Sequence, residues 1–491
     1  MSDTQLKKGR LGVLGIVFFV VAASAPLVGM TGAVPVAIAA GNGAAAVGTY
    51  LAVGLVLMLF SVGYTAMSSR VTNTGAFFAY VGRGLGTNAG VASAFTSLVA
   101  YITIQLAIYG FFGGLVALEV NARFSIEVPW FVWSLLAWLI VTGLSLLSVD
   151  VGAKVLGVLL MLELLALMIT AIAIFANPNN SGIDFLASFS PEQIFAGGFA
   201  GAAGIAIAFA FASFIGFEAT AIYGEESKNP KRDVPRATYW AVGAITALFT
   251  VVSLAMVTGL GASSVQAEVA ELAGADLSNP AAVLFHLAEV NVGSWMPQAM
   301  SILVLSSLFA GLLAFQNAAS RYFFALGRGG VLAKRFGTTN KAGAPAAGVI
   351  LTSVLALLVM AGFALAGLDG ISNLFYWMSA VSVIAIIFVE ILVSIAVVAY
   401  FMKEGGENVW RSKIAPIVSA IALAIGLYLL MSRFNLLGSL APSPDRVVNA
   451  WDLSTLGWIL VLLPFIAALA GYLYAVVNKK ENASLVKDIL S

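Results

Sequence analysis

Twelve long apolar runs, separated by polar loops, constrain this chain more than any other feature. A helix needs roughly 20 residues to cross about 30 Å of hydrocarbon, and the runs reach that length. With 61% hydrophobic and 10% charged residues, the 491-residue chain has too few polar side chains to cover a soluble globule. The sequence therefore predicts an all-α integral membrane protein with twelve transmembrane helices. We number these spans one to twelve, at residues 11–40, 43–67, 88–118, 130–148, 152–176, 193–224, 236–260, 295–326, 345–367, 371–402, 413–431 and 455–477.

The basic residues predict how the spans are oriented. With a cytoplasmic N-terminus, all but three of the 24 Lys and Arg lie on the cytoplasmic side, the exceptions being Arg123, Arg433 and Arg446. This bias is what the positive-inside rule requires, and one span more or fewer would destroy it. We therefore expect a multi-pass protein of the cytoplasmic membrane, with cytoplasmic tails at 1–10 and 478–491.

The rare residue types exclude several kinds of chemistry. The chain has no cysteine and one histidine, which rules out thiolate metal sites, disulfides and a zinc site built from histidines. The acids within spans lie on different spans, so they do not form the cluster that an enzyme needs. A channel is also disfavoured, because spans two, seven and nine lack a continuous polar lining. We expect no enzyme activity, no catalytic residues, no cofactor, no nucleic-acid partner and no obligate protein partner.

Spans one and six are both interrupted. Span one contains Pro26 and Pro35 around Gly29 and Gly32, which predicts that its helix unwinds near residues 28–32. Unwound backbone at membrane depth is tolerated only where it is buried or lines a cavity. A proline kink or a tight glycine packing face explains span one equally well when that span is taken alone.

Span six strengthens the interpretation of span one as an unwound segment that lines a cavity, because the apolar helix of span six is also broken, at Gly216 just before Glu218. Interruptions in matching places predict two five-helix repeats of opposite orientation, at about 11–176 and 193–402. Free N–H groups at a half-helix end attract a carboxylate, and free carbonyls attract an ammonium group. A zwitterion such as an amino acid fits between the two breaks, although an amine could use the carbonyl half alone.

Three segments carry a resemblance to a known family. Residues 214–236, FIGFEATAIYGEESKNPKRDVPR, resemble the span-six signature of the amino acid–polyamine–organocation superfamily, an FxGFE or FxGFD core followed by EExKNPxRDxPR. Residues 69–80 and 317–330 are similar to two further family segments. The resemblance implies a leucine-transporter-like five-plus-five inverted repeat over 11–402, peripheral spans eleven and twelve at 413–477, and alternating access to a central site.

The same resemblance implies a set of binding residues. Span-one positions would hold the substrate carboxylate, and the carbonyls of the span-six break would hold its amino group. These candidate substrate-binding residues are Gly29, Met30, Thr31, Gly32, Phe211, Ala212, Ser213, Phe214 and Gly216. Relatives often carry a bulky aromatic lid where this chain has Ala212. Either Phe211 has taken over as the lid, or the pocket accepts a larger side chain.

Glu163 is the candidate coupling group, because it is a lone carboxylate in the apolar span five and aligns with a family cation site. Burial disfavours the charged form of a carboxylate, which favours a proton as the coupling ion. A sodium site made by Glu163 with Ser306 or Ser307 stays open, as does a neutral Glu163 that only bonds neighbouring helices. Glu218 is expected to brace the span-six break more than to titrate.

Weaker candidates complete the site. Tyr101, Gln105, Tyr376 and Trp377 are predicted to line the pocket or its gates, or else to serve in packing. The loop 261–294, with a helix start at Asn279 and Pro280, is predicted to be a lid or a surface helix. Glu225 or Glu226 is expected to pair with Arg70 or Arg321 at the cytoplasmic end.

The predicted function is secondary transport of a small-molecule amino acid substrate, as proton-coupled symport. A neutral amino acid is favoured because the predicted pocket is lined by uncharged groups, with only Glu218 nearby. An amine or polyamine transporter and an amino acid exchanger remain alternatives. A membrane sensor that binds amino acids is the alternative from another class.

Overall fold

The computed structural model describes residues 12–71, 76–147, 153–179, 182–218, 220, 227–438, 440–442 and 449–478, and these residues form helices joined by short turns. In predicted spans one to five the helices are Val13–Ala23, Pro26–Val28, Gly29–Ala33, Val34–Val36, Ala37–Asn42, Ala46–Ser68, Thr87–Phe124, Trp130–Leu146 and Ala153–Ala176. In spans six to twelve they are Ala203–Ala212, Pro230–Leu260, Trp295–Arg328, Ala346–Leu365, Gly370–Phe375 with Tyr376–Glu404, Trp410–Ile414 with Ala415–Ser432, and Thr455–Val477.

Shorter helices lie in the connections: Ala76–Leu85, Phe185–Phe189, Pro191–Ile194, Val265–Ala273 and Ala281–Asn291. Single 3₁₀ turns are formed by Gly43–Ala45, Gly198–Ala200, Ala275–Leu277, Lys334–Gly337 and Phe434–Leu436.

Helix length and hydropathy agree with the predicted membrane class. Within the described ranges, nine helices are long and apolar enough to cross a membrane. One of them runs over Val13–Ser68 and contains the regions predicted as spans one and two. Predicted spans four and six correspond to the shorter apolar helices Trp130–Leu146 and Ala203–Ala212. The chain is an all-helical membrane protein, as its sequence predicts.

The helices pack in pairs that join the two halves of the chain. Span six packs on span one, span seven on span two, span eight on span three and span nine on span four. Spans eleven and twelve pack against helices of the predicted core. Span eleven packs on spans two, six and ten, and span twelve packs along span three.

Span one is interrupted upstream of the predicted position. The helix stops at Ser24, Ala25 adopts a left-handed conformation with φ 44° and ψ 67°, and a new helix begins at Pro26. Residues 28–32, predicted to unwind, are instead helical, and Gly29–Ala33 forms a π-helical turn. The physical reason is that the ring of Pro26 disfavours helical dihedral angles at the preceding residue, Ala25. It does not prevent the residues after it from being helical.

Span six is interrupted where its sequence predicts. The helix ends at Ala212, residues 213–218 form turns, and Gly216 has a φ of +112°. L-residues with a side chain rarely adopt this conformation, whereas glycine does so without steric cost. The glycine therefore permits the sharp change of direction at this break.

Candidate functional site

The two interrupted segments lie directly against each other. A Cβ atom built on Gly216 would lie 3.0 Å from Ala23 Cβ, and one built on Gly29 would lie 3.3 Å from the Ser213 hydroxyl. Further along, the corresponding position on Gly41 is 3.0 Å from the Ala206 backbone nitrogen. As residue numbers rise along span one, those of its span-six neighbours fall. The two broken spans therefore run antiparallel, with their breaks side by side.

The π-helical turn of span one forms one side of this region. Gly29, Met30, Thr31 and Gly32 are all buried. The Thr31 hydroxyl donates to the Leu27 carbonyl at 2.7 Å, so this donor is engaged within its own helix. Of these positions, Gly29 lies against Ser213 of span six, and Gly32 lies against Phe111 and Phe375 of spans three and ten.

Within the described residues, the turn of span six hydrogen-bonds only some of its carbonyls. Backbone N–H groups donate to the carbonyls of Phe211, Ala212 and Phe214. None of the described backbone N–H groups donates to the carbonyl of Ser213. The Ser213 hydroxyl itself donates to the Phe209 carbonyl at 2.9 Å and lies 3.3 Å from the Tyr50 hydroxyl. The Ser213 carbonyl can thus accept a bond from an ammonium group.

Aromatic rings cover the region on the side of spans three and ten. Phe111 and Phe375 stack with their centroids 4.5 Å apart, and a Cβ built on Gly32 would touch both rings at 2.9 Å. Phe209 packs edge-on against Tyr376 at 5.7 Å. Such contacts bury large apolar areas, so this side of the site suits an uncharged side chain.

Glu218 is buried directly below the span-six break and is fully engaged. Its Oε2 accepts from the Gly216 N–H at 2.9 Å, and its Oε1 accepts from the Tyr101 hydroxyl at 3.0 Å. Its backbone carbonyl accepts from the Tyr64 hydroxyl at 2.8 Å. These bonds tie the break to spans two and three, which is the geometry of a brace.

Glu163 lies where spans one, five and eight meet. The Ser307 side chain and the backbone of Leu27 are the polar groups close to its carboxyl. Leu27 belongs to the first turn after the span-one break, where helix N–H groups lack partners within the helix. Glu163 is 3% exposed, and its Oε2 has no hydrogen-bond partner among the described residues. This oxygen can take a proton or contribute to a cation site.

Ser306 does not belong to that junction. Its hydroxyl donates to the Leu303 carbonyl of its own helix at 2.7 Å. Of the two serines in the sodium hypothesis, the structure brings only Ser307 to Glu163. Within the described ranges, no three His, Cys, Asp or Glu side chains converge as a metal site.

Three predicted site residues point elsewhere. The Phe211 ring faces span eleven, with Cε2 3.7 Å from a Cβ built on Gly426, so the ring is not a lid over the site. Gln105 pairs with Gln316, which in turn donates to span nine. Trp377 donates to the Gly438 carbonyl at 3.1 Å and packs against span nine. Each lies on a helix face that the linear sequence does not identify.

The loop between spans seven and eight covers the site on the predicted outer side. Its helix Ala281–Asn291 starts after Pro280, as predicted, and packs on the π-helical turn Gly29–Ala33. The Tyr376 hydroxyl donates to the Leu277 carbonyl of this loop at 2.5 Å. The Gln266 amide donates to the Ile38 carbonyl at 3.3 Å. These two bonds join the loop to spans ten and one.

Sequence reasoning missed several of these residues. Phe111 and Phe375 sit in uniformly apolar runs, which carry no signal that two rings stack over a glycine of another span. Gln266 offers a weak signal, as an amide near the start of a loop helix. Glu225 and Glu226 lie outside the described residues, and Arg70 donates to the Gly406 carbonyl at 2.7 Å.

Known proteins resemble this chain over part of their length. A branched-chain amino acid permease of Lactococcus lactis is 28% identical over 49% of this chain and 47% of its own length. A probable amino-acid permease of Schizosaccharomyces pombe, meu22, is 26% identical over 52% of this chain and 44% of its own length. The lysine-specific permease of Saccharomyces cerevisiae is 25% identical over 58% of this chain and 47% of its own length. The chain thus spans about half the length of the curated relatives it matches.

The family assignment rests on a longer match. The model of the amino acid permease family matches residues 15–484, which include both broken spans and the surrounding helices. This agrees with the superfamily resemblance of residues 214–236. The chain belongs to the amino acid permease family.

Proposed function

We propose that this protein is a secondary active transporter that moves a neutral amino acid across the cytoplasmic membrane by alternating access. The observation that carries this proposal is the contact of two broken, antiparallel spans, with Gly29 against Ser213 and Gly216 against Ala23. A half-helix start next to an unbonded carbonyl suits a carboxylate and an ammonium group on one small molecule. The relatives whose names describe amino acid permeases support the same substrate class.

The proposed architecture is twelve spans in two inverted repeats, with both termini in the cytoplasm. Four helices of the first repeat each pack on their counterpart in the second, from span one with span six to span four with span nine, which supports the proposal. An odd number of spans in each repeat makes the two repeats opposite in orientation. The distribution of Lys and Arg supports the orientation of the termini.

The preference for a neutral substrate follows from the side chains around the breaks. Phe111, Phe375 and Phe209 cover one side, and none of them carries a charge. Glu218 is the nearest carboxylate in this region, and both its oxygens already accept bonds from Gly216 and Tyr101. A polyamine would need free carboxylates, so the uncharged amino acid fits better.

We further propose that Glu163 couples transport to a proton. Its free oxygen lies at the junction of spans one, five and eight, next to the span-one break. A proton bound there removes the charge that the Leu27 backbone and Ser307 stabilise, and this changes how firmly span one is held. Loading of this site would thereby be linked to movement of the broken helix.

The test is reconstitution into liposomes with a panel of labelled amino acids and amines under imposed proton or sodium gradients. We expect uptake of neutral amino acids that rises with an inward proton gradient and not with a sodium gradient. Uptake that ignores both gradients would replace symport by exchange or facilitated diffusion. Saturable binding without uptake would identify a sensor, and preference for amines would overturn the substrate class.

The absence of cysteine in the sequence allows a direct test of alternating access. Ser213→Cys places one thiol at the contact of the two breaks, and Gly362→Cys places a control thiol in span nine where nothing lies within 4 Å of a Cβ. We expect substrate to protect the thiol at position 213 from a water-soluble thiol reagent and to leave the control unchanged. Equal labelling of position 213 with and without substrate would contradict the site.

A further inference from the structure

Span eleven lies against the first half of span six with almost no space between the two backbones. A Cβ built on Gly204 would lie 2.1 Å from the Leu429 carbonyl oxygen and 3.0 Å from the Leu430 nitrogen. One built on Gly426 would lie 3.6 Å from Ile207 and 3.7 Å from Phe211. Gly204, Ile207 and Phe211 follow helical spacing, so one continuous face of span six rests on span eleven.

Span eleven is itself held at both ends. Near its beginning, the hydroxyls of Ser419 and Ser394 of span ten lie 3.4 Å apart. Beyond its end, the Gly438 carbonyl accepts from the Trp377 indole at 3.1 Å. Contacts with span ten thus lie near the beginning of span eleven and beyond its end.

Phe211 connects span eleven to the span-six break. Its ring lies on span eleven, while its carbonyl accepts from the Phe214 N–H at 2.9 Å, which closes the first turn of the break. The neighbouring Ala212, at the position where relatives carry a bulky lid, is only a methyl group. Phe209 and Phe214 also place rings beside the break, and the Phe211 ring does not add to them as long as it stays on span eleven.

We propose that Gly426 is a specificity-determining positioning residue. By leaving room for the Phe211 ring on span eleven, it keeps that ring out of the substrate cavity and lets the site accept large apolar amino acids. This inference rests on the proposed function, because it concerns the size of the substrate at the same site. Gly426 does not touch substrate and acts through Phe211.

The test compares binding of alanine, valine, leucine and phenylalanine by ligand-induced thermal shift of the purified full chain. We expect Gly426→Leu to weaken phenylalanine and leucine binding at least about tenfold while alanine binding changes less than about threefold. Gly426→Ala should behave like the unmodified protein, because its Cβ contacts at 3.6 Å and 3.7 Å are ordinary. Gly362→Leu, in open space on span nine, is the matched control.

A double variant separates positioning from general damage. Adding Phe211→Ala to Gly426→Leu should restore binding of the large amino acids, because the displaced ring is removed. Equal loss for alanine and phenylalanine, or no restoration in the double variant, would overturn the proposal. If the unmodified protein binds none of the panel, the proposed function fails; if it binds all sizes and Gly426→Leu does not discriminate, only this inference fails.

A labelling experiment keeps the inference testable if Gly426→Leu does not fold. In the cysteine-free chain, substrate should protect Ala212→Cys from a water-soluble thiol reagent and should not change the labelling of Phe211→Cys. Protection of Phe211→Cys as strong as that of Ala212→Cys would place residue 211 in the cavity. That result would overturn the proposal.

Discussion

Glu218 and Glu163 each lie beside one of the two breaks, and they differ in how many of their oxygens are engaged. Both Glu218 oxygens accept a bond, one from the Gly216 N–H and one from the Tyr101 hydroxyl. Glu163 lies close to the Ser307 side chain and the Leu27 backbone, and its Oε2 has no partner among the described residues. Both side chains are at most 3% exposed, so burial alone does not distinguish them.

The difference teaches how a broken membrane helix is used. A carboxylate whose two oxygens both accept a hydrogen bond resists displacement of the break, because each bond would have to be lost inside the membrane, where water does not replace it. A carboxylate with a free oxygen can bind a proton or another cation at that oxygen. Glu218 therefore ties the span-six break to span three, whereas Glu163, beside the span-one break, keeps one oxygen without a partner among the described residues.

The largest effect is expected at the braced break. Gly216→Ala forces a side chain onto a φ of +112° and against Ala23, which costs about 1–3 kcal/mol of strain and misplaces the N–H that Glu218 accepts from. We expect lower thermal stability and no measurable substrate binding. Gly343→Ala is the control, because it has a φ of +85° with open space around it. It should lose a similar amount of stability and keep full binding, and equal binding losses would contradict the special role of the break.

The next effect separates coupling from binding. Glu163→Gln keeps a polar side chain next to Ser307 but cannot release a proton. We expect it to lose the whole proton-driven part of uptake while it still exchanges internal for external substrate. The measurement is concentrative uptake against counterflow in the same liposomes. Full proton-driven uptake by Glu163→Gln would exclude Glu163 as the coupling group.

A smaller effect is expected at Glu218. Hydrogen bonds to a charged group contribute about 1.5–3 kcal/mol, so Glu218→Gln should weaken substrate binding roughly tenfold or more while proton dependence remains. Tyr101→Phe removes one donor only and should cost less. The two changes together should be less than additive, because they break the same bond. If Glu218→Gln loses proton dependence while Glu163→Gln retains it, then Glu218 is the coupling group and Glu163 is not.

The smallest effect is expected from the serines of span eight. Ser307→Ala removes the hydroxyl closest to Glu163 and should alter the proton dependence of uptake, with a change in affinity of about tenfold at most. Ser306→Ala is the matched control, because its hydroxyl bonds only to Leu303 of its own helix. If uptake is driven by sodium and this dependence disappears in Ser307→Ala, then sodium and not the proton is the coupling ion at this junction. Identical behaviour of the two variants would remove Ser307 from the coupling site.

Much of the candidate site was accessible from sequence through its interruptions. Gly216 marked the span-six break correctly, because a glycine at the end of an apolar run, just before a charged loop, readily permits a sharp turn. The predicted span-one break was wrong by several residues, because the glycines after Pro26 favour unwinding there, whereas the signal that mattered was Pro26 itself, which disfavours a helical conformation at Ala25. Glu163 stood out in the sequence because an ionisable residue inside an apolar span costs free energy, and such residues are by default candidates for a functional site.

The orientation of side chains was not accessible in the same way. In a soluble helix, polar residues mark the outer face, but a membrane span is apolar both towards lipid and towards its neighbours. Phe209 and Phe211 therefore look alike in sequence, although one meets Tyr376 and the other meets span eleven. The same ambiguity hid the partners of Gln105.

The sequence by itself determined the membrane class, the family and the existence of two interrupted helices. It did so because hydropathy, proline and glycine act locally, through the cost of exposing backbone to lipid and the dihedral angles each residue allows. Only the tertiary structure decided that the breaks lie side by side, that Glu218 is saturated while Glu163 keeps a free oxygen, and that span eleven holds Phe211. Those outcomes depend on contacts between distant spans, which local preferences do not encode.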